Sequence, residues 1–163
     1  MENNKEKYIW GLLRLGMGWI FFWAFIDKVF GFGFATAGGK SWIVGGSPTE
    51  GFLNFAVKGP FSSFYHSLAG NPLVDWLFMA GLFFVGITLL SGIMVRLGSY
   101  AGIIMLFSFY TAGFIPPVNN PFLDEHVIYA LVLAGFALTG AGQLGLGRWW
   151  SNTALVEKYP ILQ

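Results

Sequence analysis

The stretch NPLVDWLFMAGLFFVGITLLSGIMV, residues 71–95, decides the fold class. After Asp75 it carries no charged side chain until Arg96 stops it. A helix of about 20 apolar residues, rising 1.5 Å each, crosses the roughly 30 Å hydrocarbon core of a bilayer. The stretch opens with Asn71 as helix cap, Pro72 behind it and Asp75 in the first turn, where an acid complements the helix dipole. Its apolar part, 73–95, reads as a membrane span.

Working outward, the same criterion finds three more spans. Residues 8–30 are interrupted by Arg14 and end at Asp27–Lys28. Residues 97–115 are closed by Pro116–Pro117, and 121–146 end in GLGRWW, where glycine permits a helix end and Arg148, Trp149 and Trp150 suit the headgroup zone. The fold expected is all-α and integral to the membrane, a bundle of four transmembrane helices forming one membrane domain over 1–163. Composition agrees. Of 163 residues, 55% are hydrophobic and 10% charged, against about 25% charged in a soluble domain. The net charge of +1, with its basic residues scattered, argues against nucleic acid as a partner. Cysteine is absent, which removes disulfides, thiolate catalysis and Cys-ligated clusters from these residues. No metal-ligand set is apparent.

The N-terminal MENNKEKYIW is polar, and the apolar run after it lacks a small-residue cleavage pattern, so it reads as a retained span. Lys5, Lys7, Arg14, Arg96, Arg148 and Lys158 fall on one side, while Lys28, Lys40 and Lys58 fall on the other. The positive-inside rule then puts both termini in the cytoplasm of a multi-pass protein of the cytoplasmic (inner) membrane. The long segment between the first two spans lies outside. Within it, SPTE (47–50) is a capping box with Ser47 as cap and Glu50 three residues on. Phe52, Phe55 and Ala56, then Phe61, Phe64, Tyr65 and Leu68, share an apolar face. Two short amphipathic helices are expected over 47–70, at the interface or folded back over the bundle.

NPLVD (71–75) recurs as NPFLD (120–124). Both read as helix starts on the outer side, with Asn71 and Asn120 as caps. The second copy is followed by Glu125 and His126, which the first replaces with Trp76 and Leu77. Ionisable groups at membrane depth carry a default functional hypothesis. Glu125 and His126 are the candidate catalytic pair, with Tyr129 one turn on lining the same internal pocket. Asp27 and Lys28, near the outer hydrocarbon boundary, are candidate ligand contacts. Lys28 reads equally as a snorkelling side chain, and Asp75 and Asp124 as dipole partners. His66 reads as a surface or capping residue. Trp23, in the stripe Trp19–Phe22–Trp23–Phe25–Ile26, reads as lipid-facing or core, with a flat hydrophobic ligand as the alternative. Arg14, in the inner half of the first span, reads either as a site residue or as a donor to lipid phosphate or helix-end carbonyls.

RLGMGWIFFWAFIDK, GITLLSGIMVRLGSYAGIIM and NNPFLDEHVIYALVLAGFALTGAGQLGLG together resemble the DoxX/DoxD family over residues 13–147. The pieces that carry it are Arg14-Leu15 with Gly18, Lys28, and Leu89-Leu90-Ser91-Gly92 before Arg96. The resemblance implies a four-helix membrane protein that works with quinones in respiratory chains. One membrane subunit of that family belongs to a thiosulfate:quinone oxidoreductase, which makes tetrathionate outside the cytoplasmic membrane; other members join redox-defence complexes. Relatives often carry a Glu early in the second helix, where this chain has Met79, so proton handling would move, with Glu125 as its new seat. Quinone is the co-substrate implied. A partner redox subunit and a homo-oligomer are compatible with the same reading, and a non-catalytic scaffold that docks a redox partner is the competing one. A solute transporter ranks last, because only Arg14 supplies polarity to the inner half.

Overall fold

Asn71 does what its position predicts. Its side chain accepts the Leu73 N–H at 3.0 Å, Pro72 takes the first helical position, and Gly92, at φ 82°, ends the helix. Glycine reaches that left-handed conformation without steric cost. The computed structural model describes residues 4–113, 115–118, 121–140 and 144–163. Among them every regular element is helical: α1 (Asn4–Phe30), α2 (Glu50–Phe55), α3 (Ser62–His66), α4 (Pro72–Ser91), α5 (Val95–Gly113), α6 (Glu125–Thr139), α7 (Gly147–Ser151) and α8 (Ala154–Lys158). Three of these, α1, α4 and α5, are long and apolar enough to cross a membrane. Their outward faces carry exposed Ile9, Leu12, Leu73, Leu77, Ile104 and Phe107, which suits a lipid solvent.

The fourth apolar helix differs from expectation. α6 has 15 residues, about 22 Å, shorter than a hydrocarbon core. Its cap is Asp124, whose Oδ1 accepts the Val127 N–H at 3.1 Å. Pro121 therefore precedes the helix, and Asn120, expected as the cap, lies outside the described residues, as do 141–143 of the expected span. The two NP-x-x-D copies diverge because their acids are claimed differently: Asp124 by its own helix end, Asp75 by a distant loop. Beyond α6, the chain forms α7 and α8 where the sequence pattern shows no span.

α1 packs on α4, α4 on α5, and α5 on α6, which returns to touch α1. Met17, Phe21, Met79, Val85, Leu133 and Phe136 meet in the core between them. Two close approaches depend on missing side chains. A Cβ on Gly86 would stand 2.8 Å from the Phe22 backbone of α1, and one on Gly98 only 1.9 Å from Thr88 Oγ1. Glycine lets these helices approach without loss of packing.

One end of the molecule carries the first turns of α1 and the C-terminus, the other the 31–71 segment. At the terminal end two arginines gather backbone carbonyls, among them Leu89 O and Ala137 O in the last turns of α4 and α6. Arg14, buried, donates to Leu89 O in the last turn of α4 and to Leu144 O at 2.6 Å. Arg96 donates from Nε to Ala137 O at 3.1 Å and from Nη1 to Pro160 O at 2.9 Å.

Candidate functional site

At the loop end, α4 and α5 part and leave a cavity of about 660 Å³ roofed by α2 and α3. That volume lies inside the range of about 300–1,000 Å³ usual for small-molecule sites. Its walls are apolar: Phe52, Leu53, Val74, Phe78, Met105 and Phe109 among them. Lys28 from α1 and His126 from α6 supply an ammonium and an imidazole.

The roof is held by polar contacts that the loop makes to the long helices. Asp75 accepts from Ser47 Oγ at 2.8 Å, from Thr49 Oγ1 at 2.6 Å and from the Thr49 N–H at 3.3 Å. Ser47 Oγ in turn accepts the Glu50 N–H at 3.0 Å, the backbone half of the capping box. Tyr65 and Thr111 share a hydroxyl bond of 2.6 Å, and the Lys58 N–H donates to Ala112 O at 2.9 Å. His66 Nδ1 lies 2.6 Å from Leu53 O, which ties α3 to α2. The face α2 buries matches the spacing only in part. Phe52 packs inward as expected, joined by Leu53, while Phe55 is 86% exposed. Six residues give α2 too little length for a helical period to fix its orientation, and the Asp75 clasp fixes it instead.

Lys28 Nζ sits 5.8 Å from the Phe78 ring centroid, a cation–π distance. His126 Nδ1 lies 2.8 Å from Asp124 Oδ2, and its ring meets Phe109 edge-on at 5.8 Å. Nδ1 is thus the imidazole nitrogen that faces the carboxylate. Of the sequence candidates, the cavity brings together Lys28 and His126. Glu125, the expected catalytic partner, is exposed to the exterior. Tyr129 lines a different groove, about 510 Å³, against Ile9, Leu12, Leu13, Gly16, Met17 and Ile20 of α1. Three residues on a helix differ by about 60° in direction. Because α6 is flanked by α5 and α1, that rotation turns His126 toward one and Tyr129 toward the other.

The remaining candidates are engaged elsewhere. Asp27 is buried and accepts the backbone N–H groups of Phe34 and Ala35 at 3.3 and 2.9 Å, which folds the chain back after α1. Trp23 is stacked on Trp19 at 5.5 Å and on Phe32 at 6.0 Å, with Phe34 edge-on at 5.1 Å. It belongs to an aromatic ladder and not to the cavity wall. Arg14 belongs to the terminal end. Asp124, Glu125 and His126 do bring potential metal-ligand atoms within 4.8 Å of one another. Asp124, however, already caps α6 and holds His126, and a helix N-terminus disfavours a cation.

Sequence reasoning missed the roof contacts of Asp75 and the wall from α5. The clearest available signal was the capping box itself, which marks where the loop turns back toward α4. Comparison with protein-family models, with curated proteins and with solved structures finds no match for this chain.

Proposed function

We propose that this chain is a DoxX/DoxD-type protein of the cytoplasmic membrane. In this reading it is the membrane subunit of a quinone-linked oxidoreductase, with thiosulfate or a similar small anion as donor at the loop end. The observation that carries the proposal is the apolar loop-end cavity with Lys28 and His126 on its wall. Phe52, Phe78 and Phe109 suit a flat ring, and an ammonium and an imidazole suit its carbonyl oxygens. A bound quinone would supply the two-electron, two-proton acceptor. Lys28 would hold a carbonyl oxygen by a charge-assisted hydrogen bond. Asp124 orients the imidazole through Nδ1 and would stabilise its cation while His126 moves a proton. Glu125, exposed at the same helix end, would exchange that proton with water. The roof of α2 and α3 would keep bulk water out.

In the same reading α6 is a fourth span and both termini are cytoplasmic. His126 packs on Phe109 near the loop end of α5, and Ala137 O meets Arg96 near its other end. α6 thus accompanies α5 from one end to the other, and local thinning of the bilayer would accommodate its shortness.

One observation favours the scaffold alternative, in which the loop end docks a partner redox subunit: Phe30, Phe32, Phe34, Phe55, Phe61 and Phe64 are all exposed there. A single experiment separates the two. Purified protein in lipid nanodiscs is irradiated with a photoreactive quinone, the adduct is mapped, and thiosulfate-driven quinone reduction is followed with and without co-purifying partners. Adducts on α4 and α5 around Phe78 and Phe109, displaced by excess quinone, support the site. No competable adduct, with the chain still retaining a partner, supports the scaffold.

A further inference from the structure

We infer that the cavity is loaded sideways from the bilayer, through a mouth between Leu77 of α4 and Ile104 of α5, and not through its loop roof. This rests on the quinone assignment above and names the entry route for the same site.

The helices form a wedge. Toward the terminal end they are in close contact, with Gly98 against Thr88 and Gly102 against Val85. Met105, whose Sδ lies 2.7 Å from where a Cβ on Gly81 would stand, closes the wedge and floors the cavity. Beyond it the cavity lies between the two helices, with the Phe78 and Phe109 rings meeting edge-on at 5.9 Å on its wall. Leu77 and Ile104 line the cavity and are also 66% and 67% exposed on the outside of the bundle, so they stand at its edge. Leu77 is about 8 Å from the start of α4, and Ile104 about 14 Å from the end of α5. Both depths fall within the hydrocarbon zone if the helix ends lie near its boundary.

The water side is closed by comparison. The Asp75 clasp, the Tyr65–Thr111 hydroxyl pair and the Lys58–Ala112 backbone bond fasten the roof to α4 and α5. The hydroxyls on the wall are already committed. Thr49 donates to Asp75, Tyr65 pairs with Thr111, and Ser108 donates to Ile104 O at 2.9 Å. Lys28 stands on the same wall, its Nζ 5.8 Å from the Phe78 ring centroid. A ligand with an acceptor ring and a long apolar tail meets both ends of this geometry: the ring near Lys28, the tail passing out between Leu77 and Ile104.

The test uses the full chain in nanodiscs and two radiolabelled ligands that share one quinone ring, the first with an isoprenoid tail and the second with none. Leu77→Trp plus Ile104→Trp narrows the mouth; Phe107→Trp, on the same outer face but off the cavity wall, is the control. The double variant is expected to slow association of the tailed quinone by about tenfold or more. It should keep wild-type equilibrium affinity for the tail-less ring, because the mouth is not where the ring sits, and Phe107→Trp should leave both ligands unchanged. A double variant that loads the tailed quinone at the wild-type rate overturns the lateral route. Lost equilibrium affinity for the tail-less ring overturns it as well, since the two side chains would then be binding wall and not mouth. If neither ligand binds the wild type, the quinone assignment itself is overturned.

Discussion

An arginine survives at membrane depth when protein oxygens replace the water around its guanidinium, and Arg14 has Leu89 O and Leu144 O. Arg14→Met should therefore act on stability: about 1–3 kcal/mol for each buried carbonyl left without a donor. Thermal unfolding in detergent checks it, with Arg14→Lys falling between because one ammonium cannot reproduce the two-armed contact. Wild-type melting combined with lost quinone binding would return Arg14 to the site. Asp27 and Asp75 follow the same logic, each spending its oxygens on loop groups. What was legible here was cost: the sequence marks Arg14, Asp27, Asp75 and His126 as groups in need of partners. The partners of Asp75 lie 26 and 28 residues away, and no local pattern encodes that distance. Tyr129 was grouped with His126 on helical spacing alone, which cannot tell which neighbouring helix each will face.

At the scale of the element, close approach dominates. A Cβ on Gly98 would overlap Thr88 Oγ1, so Gly98→Ala should destabilise the α4–α5 contact by about 1–3 kcal/mol. Adding Thr88→Ala removes the obstructing hydroxyl, and the double variant should recover part of the loss in a double-mutant cycle read by unfolding. Additive losses would place the strain elsewhere. Gly98 and Gly102 form a small-xxx-small pair in the sequence, which marks this face for close helix packing. α6 was less so. A continuous apolar pattern over 121–146 suggests one long helix, yet Asp124 starts it four residues late because a carboxylate competes well for a cap position. The pattern records where apolar residues lie, and capping chemistry records where the helix begins.

For the whole molecule, the account of four spans makes a topological prediction that a cysteine-free chain tests cleanly. Single cysteines at Lys7, Lys58 and Glu157 in oriented vesicles should divide two to one under a membrane-impermeant thiol reagent. Positions 7 and 157 should label from one side and 58 from the other. Labelling of 157 together with 58 would mean that α6 does not cross. An all-helical chain with apolar helices of membrane length was legible because lipid as solvent imposes a strong compositional signature. The cavity was not, because its wall is shared by α4, α5 and two short loop helices whose meeting depends on tertiary contacts.

In the quinone reading Lys28 and His126 face the ligand and the other sequence candidates do not. Quinone titration into nanodisc-embedded wild type, Lys28→Met, His126→Ala, Glu125→Gln and Tyr129→Phe decides it. Lys28→Met and His126→Ala should each raise Kd by about tenfold, equivalent to about 1.4 kcal/mol, while Glu125→Gln and Tyr129→Phe bind as the wild type does. Unchanged affinity in both Lys28→Met and His126→Ala, or a loss confined to Tyr129→Phe, would contradict it.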